Sequence, residues 1–438
     1  MNTRRYEKGD GRRTAPENVQ EAWWIGRMSY FFEGLCLLLI AVPLVMAYRS
    51  IPAEDRFATS SDEGYYMKYA QAFAQDGIRS IPRALHHHFD TPEIHPFPHP
   101  GRFGFTIFTG TWLKVFPDTY RSLAHLSFMA FVLFLALSYY FSRRYLGQEF
   151  AVLYTLLLSC SPLMMASSRR ILQDSLLHLF WAVPFWLFFE YLMTRRRWAF
   201  FGFCAACIVA LTIKEASAFL IFFFVVAWIV FKVFYVKDLP LQDFAWVVLA
   251  PPVGAFVLYI VFLGGWGNFA ALVDFVSGVH MGGPVANPGM TSYSQFGTGP
   301  WFKFLVDFLL LCPWVTILCL GYVFYLLSAR KMGHLHAYGL LFLLVLFPLL
   351  SVLKFTRVIR FAMSLEIVMC LFALLALLQL LRSRNWWSFF GVQVAVLLIC
   401  FSQIQFFHKV YVEMGTYDTI SVWLLLGRKI IPYFYMMR

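Results

Sequence analysis

Apolar runs of bilayer length recur along almost the whole of this chain, near residues 29–47, 122–141, 149–166, 172–193, 199–213, 215–236, 243–263, 304–327, 336–353, 360–380 and 387–407. A helix crosses the hydrocarbon core with about 20 such residues. In lipid only helices and closed barrels satisfy every backbone amide. The pattern therefore predicts an all-α polytopic membrane protein with about 11 transmembrane helices. Of the 438 residues 60% are hydrophobic and only 14% charged, against about 25% charged in soluble domains. The net charge of +12 belongs to topology before it belongs to any partner, and no nucleic-acid partner is expected.

The loops orient the spans. Residues 1–28 are polar and basic and read as a cytoplasmic N-terminal arm, too long to precede an ordinary cleaved signal peptide. With that arm inside, the inner turns carry Arg143-Arg144, Arg195-Arg196-Arg197, Lys237, Arg330-Lys331 and Arg382/Arg384. Each is basic, as the positive-inside rule asks. Residues 29–407 form the membrane domain. Its two long loops, 48–121 and 264–303, then face outward, and 408–438 is an amphipathic tail that is either interfacial or a further span.

Some cations violate this pattern. Arg169-Arg170, Lys214, and the group Lys354, Arg357 and Arg360 fall at predicted outer ends of spans. Snorkelling to headgroups is one explanation. A shared anionic ligand such as a lipid phosphate is the other.

The first outer loop contains Ser60-Ser61-Asp62-Glu63-Gly64-Tyr65-Tyr66, with Tyr69 and then Asp76-Gly77. Ser60 and Glu63 fit a capping box, and Asp76-Gly77 reads as the helix end. On helical spacing Asp62, Tyr65, Tyr66 and Tyr69 share one face. The capping box alone explains Glu63. Asp62 is not needed for it and is the better candidate for chemistry. Prolines across 78–103 predict an irregular, shaped loop. The same stretch holds His86-His87-His88, His95, His99 and Glu93, a composition that admits a divalent metal without matching any ligand spacing. Residues Phe105–Phe116 are apolar but too short to span, and read as lying along the outer interface.

The second outer loop is rich in glycine and suits either a mobile lid or a passive connector. All eight cysteines lie in apolar runs, so no disulfide is expected. Cys204-x-x-Cys207 lacks companion ligands for a metal or redox site.

Asp62-Glu63-x-x-Tyr66-x-x-Tyr69-Ala70 is similar to the acidic motif in the first lumenal or periplasmic loop of GT-C glycosyltransferases, nearest the protein O-mannosyltransferases and the lipid A aminoarabinose transferases. His99-Pro100-Gly101-Arg102 resembles the His-Pro-Pro stretch of that family, with glycine for the second proline. Ser161-Pro162 with Arg169-Arg170 and Asp174, Thr212-x-Lys214-Glu215, and Arg360-Phe361 (where the family often has Arg-Tyr) resemble further segments in order. The aminoarabinose enzymes have arginine three residues after the aspartate, where this chain has Tyr65, so the Asp-Glu pair sides with the mannosyltransferase branch.

The resemblance implies a polyprenyl-phosphate-sugar donor, an outward active site and inversion at the anomeric carbon. A hydroxyl acceptor needs a base, a role that falls to Asp62 with Glu63 beside it. The leaving phosphate calls for fixed cations, for which Arg170, Lys214, Arg357 and Arg360 are the candidates. Asp174 is expected either to orient Arg170 across one helical turn or to serve in a purely structural pair. Tyr66 and Tyr69 either stack on a sugar or pack against a neighbouring helix, and His99 is a supporting residue. Two other readings remain at this point: a polymerase or ligase acting on lipid-pyrophosphate glycans, and a transporter or flippase of a lipid-linked anion. Compact loops and the lack of a C-terminal retention signal point to a bacterial cytoplasmic membrane.

Overall fold

The computed structural model describes residues 19–53, 62–91, 98–281, 300–329, 332–352, 358–380 and 386–415. Among them every regular element is helical. A first helix, α1 (Val19–Arg49), leads into three short helices of the loop expected to face outward: α2 (Asp62–Asp76), α3 (Ser80–Asp90) and α4 (Phe103–Leu113). The chain then runs through α5 (Tyr120–Leu146), α6 (Gln148–Ser159), α7 (Pro162–Ser168), α8 (Gln173–Thr194), α9 (Arg197–Ile213) and α10 (Ala218–Val230). It continues with α11 (Leu241–Leu263), α12 (Trp266–Met281), α13 (Lys303–Leu311), α14 (Pro313–Ser328), α15 (His334–Val352), α16 (Glu366–Leu380) and α17 (Trp386–Phe407).

Among the described residues seven helical segments are long and apolar enough to cross a bilayer, and an eighth if α6 and α7 count as one span. That pair is bent by 64°. The bend follows from its sequence. Pro162 opens α7, where no backbone N–H is required, and Ser161 caps it by accepting from the Met164 amide at 3.3 Å. Three further apolar helices, Gly34–Arg49, Arg197–Ile213 and Pro313–Ser328, are shorter. The apolar run expected over 304–327 is divided at Cys312-Pro313 into α13 and α14, because proline cannot continue the preceding helix.

The outer region is more ordered than its composition indicates. Residues expected to be irregular contain α3, whose Pro82 lies in the first turn, where it breaks no helical hydrogen bond. Helix α4 covers most of the apolar stretch over 105–116. It is packed between α2 and α9, with Phe105 buried. Glycine makes that possible. A Cβ on Gly104 would stand 2.3 Å from Thr212 Oγ1 and 2.8 Å from the Thr212 carbonyl carbon, and one on Gly110 would stand 2.5 Å from Phe73 Cδ1. The first part of the glycine-rich loop is also helical, forming α12. An apolar cluster of Phe73, Ile81, Leu85, Phe103, Leu263 and Leu272 joins α12 and α11 to the outer helices.

One break matters most for function. Helix α9 ends at Ile213, and Lys214 turns to extended backbone (φ −158°, ψ 132°) before a single 3₁₀ turn at Glu215–Ser217 leads into α10. The two charged side chains at this break thereby reach α8 and the turn before α4.

Candidate active site

The two acids that open α2 have opposite surroundings. Glu63 is fully buried. Its carboxylate accepts from Arg170 Nε at 2.8 Å, from the Ile171 amide at 3.0 Å and from the Tyr120 hydroxyl. One residue earlier on the helix, Asp62 keeps a quarter of its side chain exposed and accepts from Arg360 Nη2 at 3.0 Å. A single peptide step thus separates an anchoring carboxylate from an accessible one.

From Asp62 the charges alternate inward. Arg360 Nε lies 3.8 Å from Asp174 Oδ2, and Asp174 Oδ1 lies 3.1 Å from Lys214 Nζ. Asp174 and Lys214 are each 3% exposed at the side chain. The Lys214 ammonium also stands 3.5 Å from the centre of the Phe361 ring, a cation–π contact. Burial lowers the pKa of Lys214 from an ordinary 10.5 to about 8, against the opposing pull of Asp174. The sequence order of these groups is 62, 174, 214, 360, so four distant segments supply one row.

A second cluster backs this row. Arg102, in the turn before α4, grips Glu215 through Nη2 at 2.5 Å and Nε at 3.1 Å. Its Nη1 donates to the Tyr66 hydroxyl at 3.2 Å. The Gln173 carboxamide fits with its oxygen 3.1 Å from Arg102 and 3.2 Å from Lys214, and its nitrogen donating to Tyr66 at 3.0 Å. Beyond it, His99 Nε2 lies 3.9 Å from Glu215. These two residues form the polar end of a cavity of about 300 Å³ that is otherwise apolar, with Pro252, Phe256, Tyr259 and Leu272 among its walls.

This arrangement has recognisable relatives. Residues 99–261 match the family model described as dolichyl-phosphate-mannose-protein mannosyltransferase. The fold is similar to the ArnT of Cupriavidus metallidurans bound to undecaprenyl phosphate, with a TM-score of 0.53 and 14% identity over 86% of this chain and 75% of that one. It is also similar to the oligosaccharyltransferase of Archaeoglobus fulgidus in the apo form, with a TM-score of 0.55 and 11% identity over 94% of this chain and 60% of that one. The fold is that of the GT-C glycosyltransferases. No curated protein sequence matches it. The family match holds Arg102, Arg170, Asp174, Lys214 and Glu215 of this chain but begins after α2 and ends before Arg360.

The structure brings Asp62, Asp174, Lys214 and Arg360 together and sets Arg170 with Glu63. Asp174 does not orient Arg170. The chain from Arg169 to Leu172 is not helical, so one-turn spacing does not apply, and Asp174 faces Lys214 instead. Tyr66 is buried against Phe105, its hydroxyl held by Arg102. Tyr69 donates to the Pro98 carbonyl at 3.1 Å, its ring 6.4 Å from that of Tyr65, and both are half-buried. Arg357 and Lys354 lie outside the described residues, as do Ser60, Glu93, His95 and the tail from 416.

His86 and His87 point to solvent, while His88 packs on Phe275. Among the described residues no three His, Cys, Asp or Glu side chains converge as metal ligands. Sequence reasoning missed Arg102 and Glu215 as site residues. Arg102 carried the same signal as Lys214, a cation that the topology rule does not explain on the expected orientation.

Because Glu63 faces Arg170 in the interior, Glu63→Gln removes one side of a buried ion pair, a change that costs about 3–5 kcal/mol. A marked fall in the thermal unfolding midpoint in detergent is expected. An unchanged midpoint would contradict the anchoring role.

Proposed function

We propose that this chain is a glycosyltransferase that moves a sugar from a polyprenyl-phosphate donor to a hydroxyl acceptor at the extracytoplasmic face, with inversion. The observation that carries the reading is the accessible Asp62 carboxylate paired with Arg360 at 3.0 Å, at the outer end of a row of buried charges. In the proposed step the acceptor oxygen attacks the anomeric carbon while Asp62 takes its proton. The bond from that carbon to the phosphate oxygen breaks, and the electron pair leaves with the lipid phosphate. Arg360 and Lys214 receive the growing charge on that phosphate. Their carboxylate partners hold them in place beforehand, so little reorganisation accompanies the reaction.

The remaining residues support this division of labour. Glu63 with Arg170 fixes the start of α2, and so the position of Asp62. We assign part of the prenyl chain to the apolar cavity between α11 and α12, since the exposed Val253 and Val257 put the flank of α11 toward lipid. A bacterial cytoplasmic membrane with the N-terminus inside is the proposed setting. In that setting the basic turns at Arg143-Arg144 and Arg195–Arg197 lie on the cytoplasmic side. There the glycosyltransferase holds its own charges in order: Arg144 Nη2 lies 2.7 Å from Glu190, and Arg197 Nη1 lies 2.7 Å from Asp243.

Asp62→Asn keeps the shape of the side chain and removes the base. Transfer is expected to fall about 10²–10⁴-fold while binding of undecaprenyl phosphate stays within about threefold of wild type, as read by radiolabel transfer and by lipid titration. Wild-type turnover in this variant would remove Asp62 from the chemistry.

Lys214 gives a second, pH-dependent test. Its pKa of about 8 means that the ammonium is present below that pH and is lost as pH rises through it. Undecaprenyl phosphate affinity should therefore decline above about pH 8, and Lys214→Arg, which stays charged, should abolish the decline. A flat profile in the wild type would take Lys214 out of the donor site.

A further inference from the structure

Each residue that Arg102 holds is tied to a group assigned to the reaction. Its guanidinium is buried and makes four hydrogen bonds: two to Glu215, one to the Tyr66 hydroxyl and one to the Gln173 carboxamide. Glu215 follows Lys214 in the chain, Gln173 precedes Asp174, and Tyr66 lies one helical turn beyond Asp62. A two-point grip on a carboxylate fixes direction as well as distance. Close approach of the surrounding turn is also built in. A Cβ on Gly101 would stand 2.5 Å from Leu272 Cδ2, and one on Gly104 would run into Thr212, two residues before Lys214.

We propose that Arg102 is a positioning residue for sugar transfer, the hub that sets Asp62, Asp174 and Lys214 at fixed separations without contacting substrate. The proposal rests on the transfer reading given above. Lysine does not substitute for it. An ammonium lacks the planar fork that spans Glu215 on one side and Tyr66 with Gln173 on the other.

The hub also has an electrostatic signature. Lys214 faces Asp174 of α8, Arg360 and Phe361 of the 3₁₀ turn Ile359–Leu365, Gln173, Glu215 of its own turn, and Arg102. Arg102 and Arg360 both push the lysine toward its neutral form, whereas Asp174 and Glu215 oppose them. Taking the charge off residue 102 removes one like-charged neighbour and leaves Glu215 to act on Lys214 alone.

The test uses full-length wild type, Arg102→Lys, Arg102→Met and Glu215→Gln in nanodiscs, with activity normalised to protein that keeps a cooperative thermal transition. Undecaprenyl phosphate is titrated from about pH 6.5 to 10, and turnover is followed with undecaprenyl-phosphate-mannose. Arg102→Lys is expected to lose turnover about 10²-fold, with donor KM and the alkaline midpoint of lipid binding near wild type. Glu215→Gln should show the same selective loss of turnover. In Arg102→Met the midpoint should rise by about half a unit or more.

Turnover of folded Arg102→Lys within about threefold of wild type would overturn the proposal. An Arg102→Met midpoint within about 0.2 units of wild type would do the same. The two readings fail separately. A wild type that binds undecaprenyl phosphate but transfers no sugar overturns the donor reading, and Arg102 is then decided by the Arg102→Met midpoint.

Discussion

The structure depends on charges that cannot be left alone. Lys214 and Asp174 are almost wholly removed from solvent, and Arg360 nearly so. An isolated buried ion costs several kcal/mol, so each of these groups stands where an opposite charge meets it. The row Asp62–Arg360–Asp174–Lys214 is the result. It ends at the one member with a substantial exposed surface, Asp62. Everything around it, from the break at the end of α9 to the short outer helices, serves to bring those four segments to one place.

The outer helices explain why the row is so well fixed. Glu63 ties α2 to the turn before α8 through Arg170 and the Ile171 amide, and Arg102 ties the turn before α4 to the start of α10. Gly104 and Gly110 let α4 sit against Thr212 and Phe73 with no side chain between. Bulk there would displace α2, and with it Asp62, the base of the proposed transfer, from its cations Lys214 and Arg360. Placement within about an ångström is what such chemistry requires.

Much of this was legible in the sequence, for a physical reason. Charges in a membrane protein are rare, so each misplaced one is informative, and Lys214 and Arg360 were conspicuous before any fold was known. The acidic pair at the head of α2 was visible in the same way, as was its end at Gly77, whose φ is +63°. Pairing was not legible. Arg102 and Glu215 are 113 residues apart and Arg360 and Asp62 are 298 apart, and nothing local encodes such contacts. The assignment of Asp174 to Arg170 failed because it assumed helix where the chain makes a turn. The proline-rich segment misled differently: Pro82 lies in the first turn of α3, where it breaks no helical hydrogen bond. The number of full-length spans was equally hidden, since Pro162 and Pro313 divide runs that hydropathy reads as continuous.

The central claim is that the accessible carboxylate and the buried cations together release a sugar from a lipid monophosphate. The most direct measurement is transfer by purified protein in detergent, offered a panel of radiolabelled polyprenyl-phosphate and polyprenyl-pyrophosphate sugars with a membrane extract as acceptor. The account predicts label moving into the extract from at least one monophosphate donor and from no pyrophosphate donor. Transfer from a pyrophosphate donor alone, or saturable lipid binding with no transfer from any donor, would contradict it.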